Sequence, residues 1–170
     1  PSRDGLDQGL VGPRGALAKI EKLEEQETFG VSAFAQFPWK RRPDFDACTE
    51  CGRCTSVCPA NTTGKLLSPR KIMINVRERL EAKAPWMITD AAGVATLSPD
   101  APAGLAEKTL LGGYITDEEL WACTSCRACV YECPVSIDQL SVINELRRNL
   151  VLSESRFPEE MMPAFESLEA

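Results

Sequence analysis

Apolar residues after position 68 recur every three or four positions, which is the period of an α-helix with one buried face. Ser68 precedes this stretch and Pro69 follows directly, an order typical of a helix N-terminus. The apolar face is formed by Ile72, Met73, Val76 and Leu80. The pattern therefore predicts an amphipathic helix that begins at Pro69 and packs one side against a core.

A second stretch, ending near Leu152, has the same period and a broader apolar face. Either Ser136 or Asp138 can cap its N-terminus. The apolar face is formed by Leu140, Val142, Ile143, Leu146 and Leu150. We expect this helix to pack against the first one, with the core of the protein between them.

Three shorter helices are predicted at 13–27, 116–121 and 159–168. The helix at 116–121 has the clearest start, because Thr116 and Glu119 have the spacing of a capping box. No segment shows the alternation of apolar and polar residues that is typical of a β-strand. The predicted fold class is therefore all-α.

All eight cysteines lie in two runs of identical spacing, C-x2-C-x2-C-x3-C-P. The ligand candidates are Cys48, Cys51, Cys54 and Cys58 in the first run, and Cys123, Cys126, Cys129 and Cys133 in the second. Runs of this spacing bind [4Fe–4S] clusters in bacterial ferredoxins, and in two-cluster proteins the fourth cysteine binds the cluster of the other run. Each run is followed by a helix. The sequence thus predicts two [4Fe–4S] clusters with exchanged fourth ligands, in a pseudo-twofold internal duplication.

Zinc and disulfide bonds explain these cysteines less well. A structural zinc site needs only pairs of C-x2-C, often with histidine, and the chain contains no histidine. The third and fourth cysteine of each run would then have no role. Eight thiols at metal-ligand spacing without a signal peptide suit a reducing compartment, where disulfides are rare.

The predicted elements divide the chain into a flexible arm at 1–12, a helix and an aromatic lid at 13–45, and a dicluster domain at 46–170. Within the last of these, residues 84–113 are rich in proline, glycine and alanine and predict a long surface loop. The lid contains Phe29, Phe34, Phe37, Trp39 and Phe45. Since these aromatics directly precede the first cysteine run, we expect them to keep water from its cluster.

Charge and hydropathy exclude some classes of protein. The formal net charge is −6 over 170 residues, and clusters held by thiolates make it more negative, which disfavours binding to nucleic acid. No apolar run reaches the roughly 18 residues that a membrane span needs. The chain begins at Pro1 and ends in a helical pattern, so we expect it to be a fragment of a longer polypeptide.

Beside the two cysteine runs, the phrases ACTECGRC at 47–54, TGKLLSPR at 63–70 and ELWACTSC at 119–126 carry a family resemblance. They resemble the α-helical ferredoxin domain of heterodisulfide-reductase-subunit-D-like iron–sulfur proteins. Within that group, the chain is most similar to the membrane-associated electron-transfer-flavoprotein:menaquinone oxidoreductase type. Residues 27–30 and 166–169 are similar as well, so that the resemblance covers about residues 13–170.

The resemblance implies a ligand set for each cluster by position. One cluster is bound by Cys48, Cys51, Cys54 and Cys133, and the other by Cys58, Cys123, Cys126 and Cys129. In such proteins a haem-binding membrane domain precedes this module and cysteine-rich C-C-G domains follow it. The expected partners are therefore a flavoprotein donor and a membrane or C-C-G-domain acceptor, at the inner face of the cytoplasmic membrane or in the cytoplasm. This chain contains no Cys-Cys pair, so substrate and quinone chemistry do not carry over.

These observations favour an electron-transfer module that relays single electrons from a flavoprotein-type donor to a quinone- or disulfide-reducing partner. No catalytic residue stands out, which indicates a non-catalytic component of an oxidoreductase rather than an enzyme by itself. The alternative is a regulatory or structural protein controlled by loss of a cluster. Within the runs, Arg53 and Arg127 are candidates for tuning the cluster potentials, because a nearby cation favours the reduced cluster.

Overall fold

The computed structural model describes residues 29–89 and 95–169, and the predicted arm at 1–12 and helix at 13–27 lie outside this part of the chain. Helices dominate the described residues. The α-helices are α1 (Arg42–Ala47), α2 (Arg53–Ser56), α3 (Pro59–Thr62), α4 (Pro69–Lys83), α5 (Asp117–Trp121), α6 (Ala128–Tyr131), α7 (Gln139–Leu152) and α8 (Met162–Glu169). Short 3₁₀ helices lie at Phe34–Gln36, Ala84–Trp86 and Glu159–Met161.

Helix α4 begins where its sequence predicts. The hydroxyl of Ser68 accepts a hydrogen bond from the backbone N–H of Lys71 at 3.3 Å, and Pro69 occupies the first helical position. Ile72, Met73 and Val76 are completely buried. Leu80 is only half-buried. The cap and most of the apolar face are thus confirmed, and burial of this face holds α4 against α1, α2 and α7.

Helix α7 is capped by Asp138, whose carboxylate accepts a hydrogen bond from the backbone N–H of Ser141 at 2.9 Å. Ser136, the other candidate, lies outside the helix in the left-handed region, with a φ of 57°. The predicted apolar residues of this helix are buried, and its face packs against α4 and α6. The two helices therefore share the core as expected.

The loop at 84–113 contains a strand pair that the sequence pattern did not predict. Strands β1 (Met87–Thr89) and β2 (Ala95–Leu97) pair antiparallel, with Met87 opposite Leu97. Three residues are too few to display an alternating pattern. The end of the segment also differs from a surface loop, because Leu110 and Leu111 are buried in the core. The protein remains essentially helical.

The aromatic segment before the first cysteine run belongs largely to the core. Phe37 and Phe45 are completely buried and meet edge to face with 5.0 Å between ring centroids. Trp39, in contrast, is 64% exposed. The aromatic rings thus anchor α1, and a lid that keeps water from a cluster stays a prediction.

The chain at Gly30 and Val31 lies against α7. The backbone N–H of Val31 donates to the carbonyl of Glu145 at 3.1 Å. Gly30 has a φ of 74°, and a Cβ here would lie 2.6 Å from the Glu145 carbonyl oxygen and would clash with the backbone nitrogen of Asn149. A glycine is required at this close approach.

The last helix starts later than predicted. Residues 159–161 form a 3₁₀ turn after Pro158, and α8 follows from Met162. The ring of Phe165 meets Phe157 edge to face at 5.0 Å, which fixes α8 near the turn before it. In the described part of the chain, no helix combines the length and the apolar character needed to cross a membrane.

Candidate iron–sulfur site

The two cysteine runs adopt the same backbone conformation. Glu50 and Ser125, the second residue after the first cysteine of each run, both have positive φ, 56° and 57°. Gly52 and Arg127, two residues further, repeat this with 82° and 64°. Left-handed residues turn the backbone sharply, and here they wrap each loop around its own thiols. The repetition supports the predicted duplication, while its pseudo-twofold arrangement stays a prediction.

Each loop leads into one helical turn that carries the third cysteine. Cys54 lies on α2 and Cys129 on α6, and both are buried. Because α2 packs against α6, the two buried cysteines come from adjoining helical turns. The second cysteines, Cys51 and Cys126, are exposed. In each run the second cysteine is therefore exposed and the third is buried.

A cavity beside the first run is lined by four thiols. Cys48, Cys51 and Cys54 come from the loop itself, and Cys133 comes from the end of the second run. Burial raises the pKa of the Cys54 thiol, and negative charge at Cys48 and Cys133 acts in the same direction. The structure thus brings together the set that the family resemblance implies for one cluster.

Cys129 is the buried cysteine of the second run. Burial raises the pKa of the Cys129 thiol to about 12, and negative charge at Cys123, Cys54 and Cys126 contributes to the shift. Cys58 is buried at the start of α3, in the core against which Cys123 packs. Its predicted role as the fourth ligand of this set stays a prediction.

Backbone N–H groups point at several sulfur atoms. Ser125 donates to the Sγ of Cys123 at 3.4 Å, and Ile137 donates to the Sγ of Cys133 at 3.3 Å. The N–H of Arg53 is the main reason that the pKa of Cys51 lies below its usual value. Such donors stabilise negative charge on sulfur, and hydrogen bonds to sulfur are one of the factors that set cluster potentials.

The donor set fits iron–sulfur clusters. Thiolates are soft ligands that select zinc, copper(I) or iron–sulfur clusters. Four thiols around one cavity, contributed by both runs, match the exchanged pattern of two-cluster ferredoxins. When bound, such a cluster accepts and releases single electrons, and the protein positions it and tunes its potential.

The sequence pattern did not single out two arginines on the long helices. Arg77 on α4 donates to the carbonyl of Cys48 at 3.4 Å, and Arg147 on α7 donates to the carbonyl of Cys123 at 2.5 Å. The two arginines that were predicted to tune potentials, Arg53 and Arg127, have exposed side chains. The contacts of Arg77 and Arg147 arise from the packing of α4 and α7 on the loops, which a local pattern does not reveal.

Comparison with known proteins agrees with this geometry. Residues 44–137 match the family described as "4Fe-4S dicluster domain", more than half of the chain. The protein belongs to this family and is an iron–sulfur electron-transfer domain with two [4Fe–4S] clusters. The predicted relation to quinone oxidoreductases and heterodisulfide reductases is confirmed as well.

Three relatives illustrate that relation. The chain is 39% identical to "EtfAB:quinone oxidoreductase" of Syntrophomonas wolfei, over 88% of this chain and 22% of the relative. It is 34% identical to "Probable membrane-anchored ferredoxin" of Chromohalobacter salexigens, over 93% of this chain and 24% of the relative. It is 30% identical to one subunit of the "Ferredoxin/F(420)H(2)-dependent CoB-CoM heterodisulfide reductase" of Methanosarcina acetivorans, over 70% of this chain and 57% of the relative.

The chain spans less than a quarter of the length of the first two of these relatives. No solved structure matches it.

Proposed function

We propose that this protein relays single electrons from a flavoprotein-type donor to a quinone- or disulfide-reducing domain or subunit. The observation that carries the proposal is the packing of α2 against α6, which brings together the two helical turns that carry the buried Cys54 and Cys129. Negative charge at Cys54 is one of the causes that raise the pKa of the Cys129 thiol, after burial and Cys123. Two sites this near can exchange electrons within one core.

The exposed cysteines mark where electrons can enter and leave the protein. Cys51 belongs to the first run and Cys126 to the second, and both reach the surface. An electron can therefore arrive at one loop and leave from the other, without either cluster being open to solvent on all sides. Solvent exposure also affects the potential of each cluster.

The ligand sets are part of the proposal. One cluster is bound by Cys48, Cys51, Cys54 and Cys133, and the other by Cys58, Cys123, Cys126 and Cys129. The four-thiol cavity supports the first set, and the equal conformation of the two loops supports the second.

Partners and location follow from the names of the relatives. One relative is named a quinone oxidoreductase and another a membrane-anchored ferredoxin. We infer that the protein works at the inner face of the cytoplasmic membrane, and that neighbouring domains or subunits provide the attachment. The protein is a component of an oxidoreductase, and its own residues supply positioning and electrostatics rather than substrate chemistry.

The test is metal analysis followed by redox titration of anaerobically prepared protein. Two [4Fe–4S] clusters correspond to about eight iron and about eight sulfide per chain, with broad absorbance at about 400 nm. Reduction with dithionite should bleach this absorbance, with an uptake of one electron per cluster. An oxidising dye should then restore the absorbance fully. Bound zinc without sulfide would contradict cluster binding, and destruction of the clusters on reduction would contradict the relay in favour of a regulatory role.

A further inference from the structure

Helices α4 and α7 carry an arginine at the same position. Arg77 lies nine residues after the cap Ser68 (77 − 68), and Arg147 lies nine residues after the cap Asp138 (147 − 138). Each guanidinium donates to the backbone carbonyl of the first cysteine in the run that precedes its helix, as described above. The two arginines are therefore structural counterparts, one for each cysteine loop.

Arg147 is the more tightly held of the two. It donates to the carbonyl of Leu120 at 2.6 Å and 3.0 Å and to that of Cys123 at 2.5 Å. Its guanidinium lies over the ring of Trp121, 5.1 Å from the centroid. Within residues 29–89 and 95–169, no carboxylate forms an ion pair with it. An arginine stays protonated even when partly buried, so a full positive charge lies against the second loop.

Arg77 occupies the equivalent position on α4, but its charge is paired with carboxylates. It forms an ion pair with Glu50, inside the first loop, and a longer one with Glu81 at 3.8 Å. In the second loop the counterpart of Glu50 is Ser125, which has the same left-handed conformation but no charge. Glu81 lies one helical turn after Arg77, and the residue one turn after Arg147 is Val151. Both carboxylates that neutralise Arg77 are thus missing around Arg147.

We propose that Arg147 is a positioning residue that raises the potential of the cluster held by the second loop, whereas its counterpart Arg77 is neutralised by Glu50. This rests on the proposed function, since it needs a cluster in each loop. A cation near a cluster favours the form with the additional electron. Arg77 and Arg147 therefore contribute unequally to the potentials of the two clusters. The difference comes from two carboxylates, Glu50 within the first loop and Glu81 on α4.

The experiment exchanges the charge at equivalent loop positions. Glu50 and Ser125 are both exposed and have the same backbone conformation. Glu50→Ser and Ser125→Glu each introduce the residue that the other loop has at the equivalent position. Midpoint potentials of the two clusters are measured by redox titration with paramagnetic resonance detection. We expect Glu50→Ser to raise the potential of the first-loop cluster and Ser125→Glu to lower that of the second-loop cluster.

Variants of the arginines complete the test. Arg147→Gln should lower the potential of the second-loop cluster more than Arg77→Gln lowers the potential of the first-loop cluster. Arg147→Lys keeps the positive charge, so its potential should stay close to that of the unaltered protein. Arg127→Gln, in the second loop itself but exposed, is the matched control and should have the smaller effect.

Equal shifts for Arg127→Gln and Arg147→Gln, or no shift in either loop exchange, would overturn the inference. The iron and sulfide content of the protein distinguishes failure of the proposed function from failure of the role of Arg147. If the unaltered protein lacks clusters, the proposed function fails. If clusters are present and their potentials do not respond, only the role of Arg147 fails.

Discussion

Glu119 offers a quantitative test of how the two halves of the protein are joined. Its carboxylate accepts hydrogen bonds from the backbone N–H of Thr116 at 2.9 Å and from the Thr116 hydroxyl at 3.1 Å, which completes the capping box of α5. It also binds the ammonium group of Lys71 on α4 at 2.8 Å. One carboxylate, only 2% exposed, thus fixes the helix before the second run to the helix after the first.

Replacing Glu119 by Gln removes the charge and turns one acceptor into a donor that faces N–H or ammonium groups. The remaining amide oxygen can still accept from Thr116, since Glu and Gln both serve at this position of a capping box, so the cost comes mainly from the buried amide group left facing the Lys71 ammonium, about 1–3 kcal/mol. Because Lys71 is half-exposed, the lost ion-pair attraction itself adds little. We expect a total loss of about 2 kcal/mol, or a fall in the unfolding temperature of roughly 4–8 °C for a protein of this size.

The pH dependence provides a second readout for this variant. Burial raises the pKa of Glu119, but hydrogen bonds from Lys71 and Thr116 outweigh it and hold the pKa below the ordinary value of 4.5. A lowered folded-state pKa stabilises the protein above the unfolded-state value, and that stabilisation disappears as the pH falls through the folded-state pKa. The difference between the two proteins should therefore be largest at neutral pH and shrink below about pH 4.5.

The assay is thermal unfolding of anaerobically prepared protein with its clusters bound, followed by helical circular dichroism. Glu118→Gln is the matched control, because Glu118 is adjacent and exposed, and its change should stay within about 0.5 kcal/mol. Equal unfolding temperatures for Glu119→Gln and Glu118→Gln would refute the assigned role of the carboxylate.

Two further perturbations test the fold and its dependence on the clusters. A positive φ costs a non-glycine residue about 1–2 kcal/mol, and Gly64→Ala, which has open space around its Cβ, should lose no more than this. Gly30→Ala should destabilise the protein further, since its Cβ would also meet the backbone of α7. Similar unfolding temperatures for the two variants would contradict the packing of residues 29–31. Removal of iron with a chelator should unfold the described domain as a whole because metal binding and folding are coupled, and a native-like circular dichroism spectrum after complete iron loss would contradict this coupling.

Local chemistry explains which features the sequence predicts. The starts of α4 and α5 depend on a cap within a few residues, and both are confirmed. The duplicated runs predict that Cys133 joins the first three thiols, and the cavity beside the first run contains it. Spacing is enough here because the ligands of a cluster have to converge on it.

Features that depend on packing between distant segments were not predictable in this way. The strands β1 and β2 are too short for a periodic signal. The burial of Leu110 and Leu111 at the end of the long loop reflects contact with the core rather than local composition. Arg147 looks like an ordinary helix-surface residue until α7 packs against the second loop and brings its guanidinium to the Cys123 carbonyl.

We propose above that each cluster is bound by three cysteines of one run and the fourth cysteine of the other. The most direct measurement is paramagnetic resonance of the reduced Cys58→Ser and Cys133→Ser variants, with the cluster of each loop identified by its response to Glu50→Ser or Ser125→Glu. With exchanged ligands, Cys58→Ser should damage the cluster held by Cys123, Cys126 and Cys129, and Cys133→Ser should damage the one held by Cys48, Cys51 and Cys54. If each variant instead damages the cluster of its own run, the ligands are not exchanged and the two halves bind their clusters independently.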